Sequence, residues 1–194
     1  MNKIRCWNTY NPLHIKYHDE EWGVPLHEDR KFFEFLVLGG FQAGLTWWLI
    51  LERRELFRNA FDDFIPQKVA KYSLNDINRL MVAPGIIHNK MKIQAAINNA
   101  SRFLEVQKDF GSFDKYIWTF VNGKTRHTSF ARWEDLPTET EESKQMSKSL
   151  KKRGFQFVGP TICYAFMQAT GLVNDHIISC YKHGELKSNC DRVC

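Results

Sequence analysis

Apolar residues recur along this chain at helical spacing, and no segment shows a convincing alternation of apolar and polar residues. Residues 29–41 are apolar on nearly every side, which predicts a mostly buried helix. Residues 89–107 place apolar side chains on one stripe, which predicts a long amphipathic helix. Capping and stop signals predict further helices at 46–61, from Pro66, 73–81, 112–121, 142–152 and 160–169. The pattern predicts an all-α protein in a single unit, residues 1–194, with chain ends that can meet.

The composition is typical of a globular protein, and the absence of membrane and signal segments indicates its cellular location. Hydrophobic residues make up 43% of the 194 residues, enough for a proper core. The net charge of +5 is compatible with nucleic-acid binding without being diagnostic of it. No apolar run is long enough for a membrane span, and the N-terminus lacks a cleavable signal, so we expect no membrane contact and a cytoplasmic location. In that compartment the five cysteines should be reduced thiols or metal ligands.

Potential metal ligands lie at the two ends of the chain. Cys6 and His18 are near the N-terminus, and His176 and Cys180 are near the C-terminus. The last pair is spaced i, i+4, so a helical turn would put both on one face. Two thiolates and two imidazoles suit a closed tetrahedral Zn²⁺ site, which stabilises a fold and leaves no open position for catalysis. A buried thiol with solvated or capping histidines is the alternative. Competing ligands are His183, Cys190 and Cys194.

A basic helix meets an apolar helix through two glycines near the C-terminal third. Gly154 and Gly159 enclose apolar residues, and Lys152 and Arg153 come directly before them. The N–H groups at the start of the helix after Gly159 form an anion site. Residues 142–171 therefore fit a helix–hairpin–helix element that grips a DNA phosphate, or a simple helical corner in the core.

Aromatic residues cluster around acidic ones in YHDEEWGVP, residues 17–25. With Trp7, Trp47 and Trp48 they could sandwich a flat cationic ligand by stacking and cation–π attraction. Core packing explains most of these aromatic residues equally well.

Two adjacent glycines, Gly39 and Gly40, lie inside or at the end of the first apolar helix. Each glycine in a helix interior costs about 0.5–1 kcal/mol relative to alanine, so the pair needs a reason. A helix end, a close backbone approach and a missing side chain are the candidates.

Taken together, these segments closely resemble the 3-methyladenine-DNA glycosylase I family, within the helix–hairpin–helix DNA glycosylase superfamily. The matching stretches are YHDEEWGVP, QAGLTW, PGIIHNKMKIQAAINNA and KKRGFQFVGPTICYAFMQATGLVNDH, which together span roughly residues 6–180. The resemblance implies the helix–hairpin–helix glycosylase fold with a zinc site joining the N- and C-terminal segments. The family's zinc ligands fall on Cys6, His18, His176 and Cys180, which favours one structural Zn²⁺.

The resemblance also implies an activity. Members hydrolyse the N-glycosidic bond of 3-methyladenine in alkylated double-stranded DNA and release the free base. They are monofunctional, so water is the nucleophile and no lysine Schiff base is needed. We expect a DNA-repair hydrolase, a monomer by analogy, that flips the damaged base out of the helix.

Family positions map onto particular residues here. Tyr17 and Trp47 match the base pocket, and Trp7 and Trp22 are expected pocket walls. The DNA wedge falls on Gln42, Ala43, Gly44 and Leu45, while Lys152, Arg153, Gly154 and Gly159 are expected at the DNA backbone. Gly40 fits the family pattern as the glycine that ends the helix.

Two departures matter. The catalytic Asp of the wider superfamily falls on Asn174, as is usual for this family, which relies instead on a pocket Glu. That Glu falls on Gly39, so the chain lacks the carboxylate there. We expect weakened recognition and turnover, unless Glu20, Glu21 or Glu34 compensates. The alternatives are a zinc-stapled lesion- or DNA-binding paralogue with impaired catalysis and, more remotely, a zinc hydrolase.

Overall fold

Helices dominate the part of the chain that the structure describes. The computed structural model describes residues 3–7 and 9–190. The α-helices are α1 Pro12–Glu20, α2 Asp29–Gln42, α3 Trp47–Glu52, α4 Arg54–Ala60, α5 Pro66–Val69, α6 Leu74–Leu80, α7 Lys90–Phe110, α8 Phe113–Ile117, α9 Glu141–Lys152, α10 Pro160–Ala169 and α11 Tyr181–Cys190. Short 3₁₀ turns cover Asp62–Phe64, Trp118–Val121 and Trp133–Asp135. Two-residue strands, β1 Arg126–His127 and β2 Val173–Asn174, pair in parallel, with Arg126 opposite Val173.

Helix α2 lies at the centre of the core. Its apolar residues from Phe32 to Leu38, together with Phe41, are buried, as the sequence predicts. Phe33 packs edge-on against Phe103 of α7 at 5.3 Å between ring centroids, and Phe41 packs against Phe57 of α4 at 4.9 Å. Since α2 is apolar nearly all round, it has to be covered on several sides, and α7, α4 and α10 cover it.

Most predicted helices are present with small differences at their ends. Thr46 caps a helix as expected, accepting a hydrogen bond from the Leu49 N–H at 3.4 Å. The predicted helix 46–61 is interrupted at Arg53, and α3 and α4 are separate helices. Helix α7 extends three residues past the predicted end at Gln107, to Phe110, where Gly111 terminates it with φ +85°. The sequence pattern missed α1, α11 and the short strand pair, which are too short or too polar to give a periodic signal.

The prediction that Gly40 ends its helix is wrong. Helix α2 continues to Gln42, and the turn comes at Ala43–Gly44, where Gly44 has φ +77°. Gly40 instead faces Phe157, and an added Cβ would lie 3.5 Å from the Phe157 Cβ, an ordinary contact. Neither glycine of the pair is therefore required by backbone conformation.

The N-terminal and C-terminal segments of the described chain meet. The Tyr181 N–H donates to the Ile4 carbonyl at 3.2 Å, and the strand pair holds residues before α11 against the segment after α8. Of the helices in residues 3–7 and 9–190, none combines the length and apolarity needed to cross a membrane.

A buried lysine closes the C-terminal end of α2. The Lys92 ammonium donates to the carbonyls of Phe41 at 2.8 Å and Ala43 at 2.6 Å. Burial lowers the pKa of Lys92. The contact is nonetheless favourable, because a cation at a helix C-terminus satisfies carbonyl groups that have no intrahelical partner. Lys92 thereby fixes the point where α2 turns into the loop 43–46.

Replacing Lys92 with methionine should lower the free energy of unfolding by about 1.5–3 kcal/mol, because two carbonyls lose a charged donor. Urea denaturation followed by circular dichroism measures the change. Lys90→Met, an exposed lysine two residues earlier in the same helix, is the control and should change stability by less than about 0.5 kcal/mol. Equal losses in the two variants would contradict a specific role for Lys92.

Candidate functional site

Four potential metal ligands from the two chain ends converge in the interior. The Cys6 and Cys180 sulfurs and one ring nitrogen each of His18 and His176 lie within 4.8 Å of one another, and all four side chains are buried. The Cys6 Sγ lies 3.2 Å from His176 Nδ1, and the Cys180 Sγ lies 3.5 Å from His18 Nε2. The set Cys₂His₂ with closed, buried geometry is typical of a structural metal site.

The other ring nitrogen of each histidine is held by a hydrogen-bond partner. His18 Nδ1 lies 2.8 Å from the Asp19 carboxylate, and His176 Nε2 lies 3.0 Å from the Trp22 carbonyl. Arg5 holds Asp19 in turn through two hydrogen bonds of 2.8 and 2.7 Å. Partners of this kind fix the tautomer and orientation of histidines that bind metal.

Electrostatics in the cluster favour a thiolate. The hydrogen bond from the Cys6 thiol lowers the pKa of Cys180 despite burial, and both histidines lower it further. Burial opposes ionisation of Asp19, but hydrogen bonds from Arg5 and His18 outweigh it and hold the Asp19 pKa below its ordinary value. The four residues can therefore hold a divalent cation, whose charge the thiolate and the nearby Asp19 carboxylate would balance.

The spacing of His176 and Cys180 does not reflect a helix. Both lie in the turns between β2 and α11, where the Cys180 N–H donates to Ile177 at 2.8 Å. Among the competing ligands, His183 is directed to the Thr128 carbonyl at 2.8 Å and lies outside the cluster. Cys194 lies outside the described residues, and Cys190 is the last residue of α11.

The cluster of four potential ligands supports a wall of aromatic side chains. Trp7 follows Cys6 in sequence and packs edge-on against the His18 ring at 4.7 Å. Trp22 packs edge-on against His176 at 4.5 Å and against Trp7 at 5.2 Å. The position of this wall therefore depends on the four residues behind it.

The wall encloses a cavity of about 240 Å³ between α2 and α10. The cavity is mainly aromatic and apolar. Its lining consists of Trp7, Tyr17, Trp22, Phe35, Gly39, Gln42, Trp47, Trp48, Trp133, Ile162, Ala165, Phe166, Gln168 and Ala169. No Asp, Glu, His, Lys or Arg belongs to this set of described residues. Burial raises the pKa of Tyr17, so its phenol stays protonated. The indole N–H groups of Trp7 and Trp47 have no hydrogen-bond acceptor among the described residues.

The structure brings together all five pocket residues expected from the sequence. Tyr17, Trp47, Trp7, Trp22 and Gly39 all line the cavity. An added Cβ at Gly39 would lie 3.6 Å from Ile162 Cγ2, an ordinary van der Waals contact. The position is thus open to a side chain, and the glycine leaves space that a longer side chain could use.

The expected wedge lies at the rim of this cavity. Gln42 lines the cavity, and Ala43, Gly44 and Leu45 form the turn that follows α2. Leu45 is 39% exposed although it is a large apolar side chain. An exposed leucine on a turn anchored by Lys92 is suited to entering a gap in a partner.

A side chain of α7 holds the hairpin between α9 and α10 in place. Asn99 of α7 exchanges two hydrogen bonds with the backbone of Gln156, at 2.8 and 2.9 Å. Gly154 has φ +84° and ends α9, while Gly159 precedes α10 with nothing within 4 Å of an added Cβ. The backbone after Gly159 is therefore accessible to a ligand.

The two basic residues next to the hairpin differ in their exposure and in their contacts. Lys152 is exposed at the end of α9. Arg153 donates to Asp109 at 2.9 Å and lies over the Phe110 ring at 4.8 Å. The Arg153 guanidinium is thus engaged by Asp109 and Phe110 at the protein surface, whereas no such contact within the described residues occupies the exposed Lys152.

None of the three carboxylates considered as replacements at Gly39 lines the cavity. Glu34 accepts hydrogen bonds from Arg54 at 2.5 Å and Arg58 at 2.9 Å. Glu21 also accepts from Arg54, and Glu20 is exposed. The structure contains no substitute for the missing carboxylate among the described lining residues.

Two parts of the cavity lining were not predicted from the sequence, the Trp133 ring and one face of α10. Trp133 lies in the polar segment after β1 and packs against Trp7 at 5.3 Å and Trp22 at 5.6 Å. A tryptophan in an otherwise polar segment was the available signal. The α10 face could not be distinguished from core, because Ile162, Ala165 and Ala169 have ordinary helical spacing.

Comparison with known proteins defines the class. The family model described as methyladenine glycosylase matches residues 7–183. The chain belongs to the methyladenine glycosylase family. Its helical architecture is therefore that of a member of this family.

Particular relatives are similar over nearly their whole length. DNA-3-methyladenine glycosylase 1 of Escherichia coli (strain K12) is 48% identical over 177 residues, covering 91% of this chain and 95% of the relative. DNA-3-methyladenine glycosylase of Haemophilus influenzae is 45% identical, covering 91% of this chain and 96% of the relative.

Solved structures of related proteins have the same fold. A crystal structure of 3-methyladenine DNA glycosylase I superposes with a TM-score of 0.90 at 48% identity, covering 93% of this chain and all of that one. A tyrosine-to-phenylalanine variant of 3-methyladenine DNA glycosylase I in complex with 3-methyladenine gives a TM-score of 0.90 at 37% identity, covering 94% and 98%.

The two tryptophans of the wall should differ in their contribution to stability. Trp22 is 5% exposed and Trp133 is 40% exposed. Trp22→Ala should lower the free energy of unfolding by about 3–5 kcal/mol, because it opens a buried cavity. Trp133→Ala should cost less than about 1.5 kcal/mol. Urea denaturation of both variants tests this. A larger loss for Trp133→Ala than for Trp22→Ala would contradict the conclusion that Trp22 is the more tightly packed ring of the wall.

Proposed function

We propose that this chain is a base-excision repair glycosylase that hydrolyses the N-glycosidic bond of 3-methyladenine in alkylated double-stranded DNA and releases the free base. The aromatic cavity without charged lining residues carries this proposal, in a chain 48% identical to a relative named for that activity. The cavity is slightly smaller than the range of about 300–1,000 Å³ for drug-sized ligands, which suits a single base.

The lining suits a flat cation. An alkylated adenine carries a positive charge, and indole faces attract cations by about 0.5–2 kcal/mol more than neutral rings. Trp47, stacked on Phe35 at 6.2 Å and tilted against Tyr17 at 5.5 Å, is the rigid platform. Neutral adenine gains no such attraction, so the cavity favours the damaged base.

Hydrolysis needs little acid catalysis from the protein. The oxygen of water bonds to C1′ of the deoxyribose, the bond to the base breaks, and its electron pair neutralises the cationic base. A water proton passes to solvent. Because the leaving group already bears its charge, the residues of this chain mainly hold the flipped base and exclude competing orientations.

The DNA is held on the face of the protein that carries the cavity. Extruding a base costs a few kcal/mol, and a side chain has to occupy the gap. The exposed Leu45 on the turn Gln42–Leu45 fills that role. The N-terminal end of α10 after Gly159 binds a phosphate, with exposed Lys152 nearby. Arg153 acts by packing the hairpin.

Gly39 weakens this enzyme. A carboxylate at this position would add a charge-assisted hydrogen bond to the base, worth about 1.5–3 kcal/mol. The specific alternative is a lesion- or DNA-binding paralogue with impaired catalysis, and the empty position at Gly39 is the observation that favours it.

Replacing Gly39 with glutamate should raise kcat/KM for release of 3-methyladenine from alkylated DNA by about 10- to 150-fold. The added side chain enters a position where a Cβ meets only an ordinary contact. Release of radiolabelled base measures the effect.

Two further variants separate charge from helix propensity. Gly39→Gln supplies a neutral acceptor and should give a smaller gain, while Gly39→Ala tests the backbone effect alone. A wild-type chain that already matches Gly39→Glu would show that the glycine costs nothing. Absence of release by every variant, with intact DNA binding, would favour the binding paralogue.

The cluster of Cys6, His18, His176 and Cys180 binds one structural Zn²⁺. Two cysteines and two histidines with buried, closed geometry fit Zn²⁺, and the partners Asp19 and Trp22 orient the histidines. Its role is to join the chain ends and hold Trp7 and Trp22 in the cavity wall. Because four protein ligands leave no open position, the ion takes no part in the reaction.

Metal analysis tests this assignment. Purified protein should contain about one zinc per chain, and Cys180→Ser should lose it together with several degrees of unfolding temperature. Cys163→Ser, which changes a buried cysteine outside the cluster, is the control and should retain the metal. Loss of zinc without a change in unfolding temperature would contradict a structural role.

A further inference from the structure

A buried carboxylate lies directly behind the cavity wall. Asp175 is fully buried and accepts hydrogen bonds from three neutral donors. The donors are the Thr128 hydroxyl at 2.8 Å, the Tyr164 hydroxyl at 2.5 Å and the Gln168 side-chain amide at 2.7 Å. Of these three residues, only Gln168 lines the cavity.

This contact fixes the orientation of the Gln168 amide. The two ends of a glutamine amide often exchange places, since one donates and the other accepts. An Asp carboxylate only accepts, so Gln168 has to direct Nε2 toward Asp175. The carbonyl oxygen, Oε1, is then the free hydrogen-bond acceptor of Gln168, which is itself a lining residue. No described residue donates a hydrogen bond to it.

The two indole groups named among the lining residues are donors only, because the Trp7 and Trp47 N–H groups can donate but not accept. The Tyr17 hydroxyl, which burial keeps protonated, can donate or accept, and its hydrogen is free to rotate. Gln42 also lines the cavity, but no hydrogen bond within the described residues fixes its amide. With Gly39 in place of a carboxylate, Gln168 is the acceptor whose orientation the protein imposes.

We propose that Gln168 is a specificity-determining residue that accepts a hydrogen bond from the exocyclic amino group of the base, and that Asp175 is its positioning residue. The cavity thereby selects 3-methylated purines with an amino group at position 6 over those with an oxo group. This inference rests on the proposed function, because it concerns the base bound in that cavity.

The discrimination follows from donor and acceptor chemistry. Adenine presents an N6 amino donor where guanine presents an O6 acceptor. A guanine-type base would place O6 against Gln168 Oε1, leaving two acceptors facing each other without a proton. Sites built around a directed hydrogen bond reject the mismatched partner strongly, because buried polar groups are left unpaired. The carboxylate behind Gln168 polarises its amide and strengthens the acceptor.

The test compares the binding of free 3-methyladenine and free 3-methylguanine. Quenching of tryptophan fluorescence reports both dissociation constants, since tryptophans line the cavity. Gln168→Leu removes the acceptor at similar volume and should lower the preference for 3-methyladenine about 3- to 10-fold. Asp175→Asn lets the Gln168 amide turn over, because asparagine both donates and accepts, and should lower the preference as well.

Tyr164→Phe is the matched control. It removes another donor to the same carboxylate while leaving the contact between Gln168 and Asp175 in place. We expect lower stability with an unchanged ratio of the two dissociation constants. Equal weakening of both bases in Gln168→Leu, or an unchanged ratio, would overturn the inference.

Base release from alkylated DNA keeps the two proposals apart. A wild-type chain that prefers 3-methyladenine in binding but releases none contradicts the glycosylase function and leaves the role of Gln168 standing. A chain that releases 3-methyladenine, with a preference unaffected by Gln168→Leu, contradicts only the role of Gln168. Should Asp175→Asn fail to fold, Gln168→Leu still decides, because it keeps the Thr128 and Tyr164 contacts to Asp175.

Discussion

Burial of α2 is the constraint on which the rest of this structure depends. The helix has to be covered on several sides, and one of its faces also forms one side of the cavity. Phe33 and Phe41 face the core, whereas Phe35 and Gly39 line the cavity. Lys92 then fixes the end of the helix through two carbonyls, so the exposed turn that follows has a defined position. Core packing and ligand access are thus set by one element.

A second dependence runs from the chain ends to the cavity. Cys6 and Cys180 are far apart in sequence, yet Trp7 is next to one ligand and the Trp22 carbonyl contacts another, His176. The cluster therefore does more than join the chain ends, because it also sets the positions of the Trp7 and Trp22 rings that line the cavity. On the proposed function, the four clustered residues would hold the fold together while the aromatic side chains contact the base.

Sequence patterns predicted much of this architecture, for physical reasons that also explain the failures. The apolar helix 29–41 and the caps at Thr46 and Ser112 act locally, so they are visible in the sequence. The grouping of Cys6, His18, His176 and Cys180 was suggested by residue type, although the helical turn assumed for the last pair was wrong. Trp133 and Gln168 could not be assigned, because their proximity depends on tertiary packing between distant segments. Gly40 was wrongly made a helix end, since glycine alone does not terminate a helix whose faces are buried.

The open space at Gly39 also has an evolutionary meaning. An added Cβ there meets only an ordinary contact with Ile162, and the backbone is already helical. Some glycine and glutamate codons differ at one base, and the first atom of the new side chain meets no clash. A glutamate can therefore arise at position 39 in one mutational step. On the proposed role of this position, a single substitution would reverse the effect of the glycine.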